Sequence, residues 1–209
     1  GVKKGDVGKV EIVFQNGASV CIGFFKPEEY WLTEYALAKW VHRKLFAAYY
    51  NPTFSNTVTK ELFKDQLKKP TNKIFYFVGH GIRWENKGVW ALKLGEYEWI
   101  HFSEISSCNM PRYKIVYINS CCSGDYTCSG RGNFGIIDAF DSECKIGFKT
   151  AIFSGNYAMY VGGLEYTIAF FTFLIDGYSA QEAHTMIGKL NIVPDINDIR
   201  VDGDGYLWE

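Results

Sequence analysis

The chain has 209 residues, 47% of them hydrophobic and 17% aromatic, with 22 Lys and Arg against 23 Asp and Glu and a formal net charge of -1. Such a length and apolar content support a sizeable core and exclude a disordered or fibrous chain. A near-neutral balance without long runs of one sign gives no electrostatic footprint for nucleic acid or an anionic membrane, so neither is an expected partner.

No uninterrupted apolar stretch approaches the roughly 18 residues of a membrane span, and the N-terminal segment lacks the apolar core of a signal peptide. The expectation is a cytoplasmic chain with a single domain over residues 1–209. Six cysteines are present. Adjacent Cys121 and Cys122, in a chain longer than the small disulfide scaffolds, argue against a bridged framework and for a reducing compartment. A zinc site built from Cys108, Cys128, Cys144 and a histidine matches no standard spacing, and no metal is expected.

In chain order, Lys9 to Phe14 and Ser19 to Phe25 read as strands around the Asn16-Gly17 turn signal. From Pro27 to Tyr50, apolar residues including Trp31, Leu37, Ala38, Val41 and Leu45 recur at the helical period, with Pro27 in the first turn and Pro52 as the stop. Ser55 to Leu67 reads as a second helix, capped by Thr57 or Thr59, with Leu62, Phe63 and Leu67 on one face. The run ending at Val78 is apolar on consecutive positions, as a strand buried on both faces should be.

Val89 to Leu94 and Tyr97 to Ile100 predict a small hairpin around Gly95-Glu96, followed by a short helix from Ser103. Lys114 to Ile118 returns to the main sheet. Residues 124–147, with one apolar patch at Phe134 to Ile137, read as a long functional loop. Thr150 to Ser154 predicts a further buried strand. Gly163 to Ile175 predicts an apolar helix with Leu164, Ile168, Phe171, Leu174 and Ile175 inward, and Ser179 to Glu182 carries the capping pattern of another helix. Ile199 to Val201 and Tyr206 to Trp208 would close the sheet. Strands interleaved with helices indicate an α/β fold with a mostly parallel sheet and helices on both faces.

Two motifs follow apolar strands: Val78-Gly79-His80-Gly81 and Asn119-Ser120-Cys121-Cys122-Ser123-Gly124. In a parallel sheet the carboxyl ends of the strands share one edge, where ligands bind. A thiol attacks a carbonyl only as thiolate, so a cysteine nucleophile needs a base, partial exposure and donors for the developing oxyanion. A His-Gly and a Cys-x-Ser-Gly at neighbouring strand ends supply those parts. Cys121 and Cys122 point to opposite faces of a strand, so only one of them can take the role.

Phe75 to Gly81 together with Ile118 to Gly124 resembles the caspase-like cysteine peptidases, the group of caspases, metacaspases, legumains, gingipains and separases. Weaker pattern similarity extends over most of the chain, from the strand at Ser19 to the closing strand before Trp208. The resemblance implies a three-layer α/β sandwich with a small hairpin insertion, and hydrolysis of a peptide or protein substrate without a cofactor. It implies His80 as general acid/base, Cys121 as nucleophile with Cys122 as second choice, and the N-H groups of Gly81 and Cys121 as oxyanion hole. Asn119 would line the pocket for the side chain before the scissile bond, where metacaspases carry an acid. Asp125, or Asp138 or Asp141 from the long loop, would restore a carboxylate there, and Ser154 and Asn156 would contact substrate backbone.

Two other readings compete with the peptidase. A caspase-like interaction protein would keep the fold and bind partners without cleaving them, against which the intact motifs count. A nucleotide-binding module would need a Gly-rich phosphate loop after the first strand, and Ile22 to Pro27 does not supply one. Asp202 to Gly205 mimics the start of a calcium loop but lacks its remaining ligands, and reads as a turn.

Overall fold

The computed structural model describes residues 16–25, 31–56, 58–84, 89–150 and 157–208. Five strands run parallel in one sheet: β1 (Gly17–Ile22), β2 (Asn51–Asn56), β3 (Asn72–Val78), β7 (Tyr113–Asn119) and β8 (Ser142–Phe148). β9 (Ile199–Gly203) closes one side antiparallel to β8, and the order across the six-stranded sheet is β2-β1-β3-β7-β8-β9. A separate three-stranded antiparallel sheet is formed by β4 (Gly81–Trp84), β5 (Val89–Lys93) and β6 (Trp99–His101).

Strand periodicity divides the core between the two faces of the main sheet. Ile74, Tyr76 and Val78 of β3 join Ile115 and Tyr117 of β7 under α1 (Trp31–Ala47), α4 (Tyr157–Ile175) and α5 (Ala180–Leu190). The alternate residues Phe75, Phe77, Val116 and Ile118 face α2 (Lys60–Lys68), α3 (Phe102–Ser106) and a 3-10 turn at Ile136–Ala139. Consecutive apolar residues therefore serve two cores, as both-face burial requires. The helices have local causes as well. Thr59 Oγ1 accepts from Leu62 N to cap α2, Ser179 and Glu182 form a capping box on α5, and Asn191 ends α5 in the left-handed conformation.

A polar network at the amino edge of the sheet seats α2. Ser19 Oγ and Thr53 Oγ1 donate to Gln66 Oε1 at 2.8 Å each, and Asn72 Nδ2 donates to Ser19 Oγ at 2.7 Å.

Several expectations are corrected. The first helix ends at Ala47, and Pro52 lies in β2, an edge strand where its missing N-H costs no central ladder bond. α2 starts at Lys60 rather than Ser55, and Leu62 is exposed while Phe63 and Leu67 are buried. The small sheet has a third strand, β4. β8 lies inside the stretch expected to be a long loop, because Ser142 to Phe148 alternates apolar with polar residues and pairs with β7. Of the strand expected at 150–154, Thr150 is a bend and the rest lies outside the described residues, as do Lys9 to Phe14 and Pro27. α4 buries Tyr166, Phe170, Phe171 and Leu174, whereas Ile168 is exposed. Residues 206–208 form no strand, although Leu207 is buried and its carbonyl accepts from Tyr50 Oη at 2.6 Å. No helix among the described residues is long and apolar enough to cross a membrane.

Candidate active site

Parallel register brings the carboxyl ends of β1, β3, β7 and β8 to one edge, with Ile22 beside Val78, Val78 beside Asn119, and Ile118 beside Gly147. His80 follows the end of β3 and opens the connection into β4. Cys121 lies in the tight turn after β7. The two motifs meet through backbone: Gly79 N donates to Asn119 O at 3.2 Å, and a Cβ added at Gly81 would lie 2.5 Å from Cys121 O and 3.0 Å from Ser120 Oγ. Glycine is required at 81 because any side chain would separate the two strand ends.

His80 and Cys121 are both partly exposed. The His80 ring lies against Phe25, which follows β1, with centroids 4.9 Å apart. Gly23 and Gly79 approach closely under the Phe77 ring, so the ends of β1 and β3 pack without an intervening side chain.

The turn after Cys121 is held to β8. Ser123 Oγ donates to Ile118 O at 2.7 Å and accepts from Phe148 N at 3.0 Å, while Cys122 N and Gly124 N donate to Thr150 O and Phe148 O. Cys122 is buried, has φ of 53°, and is joined by a disulfide to Cys128, whereas Cys121 takes part in no disulfide. The bridge corrects the expectation of unbridged cysteines. It closes one local turn rather than stapling a small core, so the overall cysteine pattern did not announce it. Both cysteines lie in the turn rather than in the strand, so strand alternation does not separate them: Cys122 is in the core on the α2 side of the sheet, and Cys121 packs against both cores.

Neither family models nor characterised sequences match the chain. Solved structures do. The Arg-specific cysteine proteinase gingipain R aligns with 94% of this chain and 48% of its own, at TM-score 0.53 and 14% identity. The separase of the Saccharomyces cerevisiae separase–securin complex aligns with 91% of this chain and 12% of its own, at TM-score 0.56 and 13% identity. The Drosophila initiator caspase Dronc aligns over 78% and 65%, at TM-score 0.48 and 11% identity. The fold is caspase-like. The chain thus spans about half the length of the gingipain chain and a small part of the separase chain.

Within this caspase-like fold the expected pocket residues part company. Asn119 ends β7, is buried, and donates through Nδ2 to Tyr76 Oη at 3.2 Å. Asp125 is fully buried, and its carboxylate accepts from Thr127 N and Oγ1, Ser129 N and Oγ, and Gly132 N. Burial pushes its pKa up, but these donors outweigh that and leave it below the ordinary value. The carboxylate organises its own loop. Asp138 is engaged by the Arg200 guanidinium, at 2.7 and 2.9 Å. Asp141 precedes β8 and accepts from Tyr113 N, at the amino edge of the sheet and roughly 20 Å from the Cys121 edge for a seven-residue strand. It is too far away to line that pocket. Ser154 and Asn156 lie outside the described residues.

The sequence reading missed Glu34. It sits in the first turn of α1, is 4% exposed, and acts electrostatically on Tyr76. Burial raises the Tyr76 phenol well above its ordinary value, the Asn119 bond opposes this, and the Glu34 charge adds to it. Its signal was readable: Glu34 shares the buried helical stripe of Leu37, Ala38, Val41 and Leu45, and an acid on an apolar stripe is the informative exception.

His42 Nε2 bonds to Pro52 O at 3.1 Å, and His101 caps α3. Cys144 is buried and Cys128 bridged, and no group of three or more metal-binding side chains forms among the described residues.

Proposed function

We propose that the chain is a cysteine endopeptidase acting through Cys121 and His80. The observation that carries this reading is the backbone contact between Gly81 and Cys121 at the shared carboxyl edge, with the partly exposed His80 imidazole and the partly exposed, unbridged Cys121 on its two sides. Burial and bridging of Cys122 favour its neighbour as nucleophile.

In the reaction, His80 takes the Cys121 proton and the thiolate adds to the scissile carbonyl carbon. The N-H groups of Gly81 and Cys121 receive the oxyanion. Collapse breaks the C-N bond, His80 protonates the leaving amine, and a thioester remains. Water, deprotonated by His80, then releases the acid and restores the thiol. This chemistry requires neither metal nor organic cofactor. For the side chain preceding the scissile bond, Asn119 forms the pocket wall, and the Glu34 carboxylate, which acts electrostatically on the Tyr76 hydroxyl bonded to Asn119, favours a cationic residue.

The test is a peptidyl acyloxymethyl ketone carrying Arg before its warhead, followed by mapping of the adduct. One adduct on Cys121 is expected, absent in Cys121→Ala and formed about 100-fold more slowly in His80→Ala. An adduct on Cys122 would reassign the nucleophile. No adduct on either cysteine would leave an interaction protein of the same fold.

A further inference from the structure

Behind the Cys121 turn, between α5 and β9, lies a cleft of about 430 Å³ whose lining includes Lys149, His184, Gln181, Arg200 and Asp202. This volume falls in the range of small-molecule sites. Its polar groups are unequally committed. The Arg200 guanidinium is shared between Asp138 and Asp202, the latter at 2.8 Å, and donates to Gly124 O at 3.3 Å, which commits it within the protein. Gln181 Nε2 is taken by the carbonyls of Val201 and Gly203.

Lys149 is the remaining cation of the cleft, and His184 offers a neutral donor beside it. Tyr166 is fully buried among the rings of Tyr117 and Phe170, and its hydroxyl meets His184 Nδ1 at 2.9 Å. A buried hydroxyl proton needs an acceptor, and Nδ1 supplies it, so the neutral imidazole carries its own proton on Nε2. Burial lowers the His184 pKa and the nearby Lys149 charge lowers it further, while Asp198 stands beside Lys149 as the neighbouring acid. Two donors from separate elements thus share one cleft, with Asp202 held by arginine.

We propose that this cleft binds a small phosphate-bearing ligand through Lys149 Nζ and His184 Nε2-H. Phosphate suits the site better than a monocarboxylate because it presents more charge and three acceptor oxygens to donors arriving from different directions. The cleft volume leaves room for the organic group that carries the phosphate.

The proposal is independent of the peptidase reading and is tested by binding alone. Inorganic phosphate is titrated against sodium chloride at matched ionic strength while the imidazole ¹⁵N resonances of the intact chain are followed. A saturable shift of His184 is expected with Kd on the order of 1 mM, with His42 unmoved. Lys149→Met should weaken binding about tenfold and Lys149→Arg should retain it, both being changes at a partly exposed side chain outside the core. Acetate should bind about tenfold more weakly than phosphate. No saturable shift, an unchanged Kd in Lys149→Met, or acetate binding as tightly as phosphate would each overturn the assignment.

Discussion

The two halves of the candidate site are held by different forces. His80 leaves β3, a strand buried on both faces, and its position follows from close packing: Gly23 against Gly79, both under Phe77, with Phe75 and Phe77 edge-on to Phe63 at 5.2 and 5.8 Å. Cys121 opens a turn whose apolar contacts come from single residues, Cys121, Cys122 and Cys128, rather than from a run of strand residues. That turn is held by the Ser123 hydroxyl, the Asp125 carboxylate, the Cys122–Cys128 bridge and the Arg200–Asp138 pair. Packing forces act over a whole strand, whereas each polar clasp acts at one point. The base half should therefore open only with the sheet, and the nucleophile half should be able to open alone.

The largest effect is expected at Asp125. Replacing it with Ala removes the acceptor for three backbone N-H groups and two hydroxyls around a fully buried carboxylate, at a cost of roughly 3 kcal/mol. Hydrogen exchange should show protection lost across residues 122–137 while β3 keeps its own. Equal loss in β3 would mean that the two halves form one cooperative unit, and the contrast between them would be gone.

The reverse perturbation is Gly79→Ala. Its Cβ would lie 2.7 Å from Phe77 Cζ and 3.2 Å from Gly23 Cα, so the β1 and β3 ends must part or the ring must move. Overpacking of this kind costs about 1 to 3 kcal/mol. Urea denaturation should show the loss, and exchange should rise in β1 and β3 together. A rise confined to the Cys121 turn would contradict the assignment of packing to the base half.

This contrast also explains what the sequence disclosed. β3 and β7 were legible because their apolar runs have one physical cause, burial on both faces, and His80 and Cys121 were legible as the residues that leave them. The α5 boundary was legible because its capping box is local. β8 was hidden because Ser142, Glu143, Lys145 and Gly147 dilute its apolar positions, which face only one core. Asp125 looked like a pocket acid because its five donors come from residues up to seven positions on, in a turn whose closure depends on a bridge that composition argued against. Glu34 was within reach of a helical wheel, but only the register of α1 against Tyr76 gives its burial a partner in the site.

The smallest expected effect concerns a polar clasp away from the site, which asks whether such contacts are point-like elsewhere too. Glu104 of α3 accepts from Lys60 Nζ at 3.0 and 3.1 Å, from Lys64 Nζ at 3.2 Å and from His101 N at 3.1 Å, fastening α3 to α2. Desolvation pushes its pKa up, but the His101 N-H and the two lysines prevail and bring it from 4.5 to about 2. A carboxyl with a depressed folded pKa binds fewer protons than in the unfolded chain. Its contribution is complete above the unfolded value of 4.5 and is lost as pH falls toward about 2. Because the side chain is 27% exposed, solvent screening holds the clasp to about 1 kcal/mol. Glu104→Gln should lower the unfolding free energy from urea denaturation by that amount near neutrality, and the gap from the parent chain should close as both are acidified through this window. A gap that stays constant with pH would show that the side chain acts by packing, and a gap accompanied by lost protection in the Cys121 turn would show that polar clasps in this fold communicate rather than act singly.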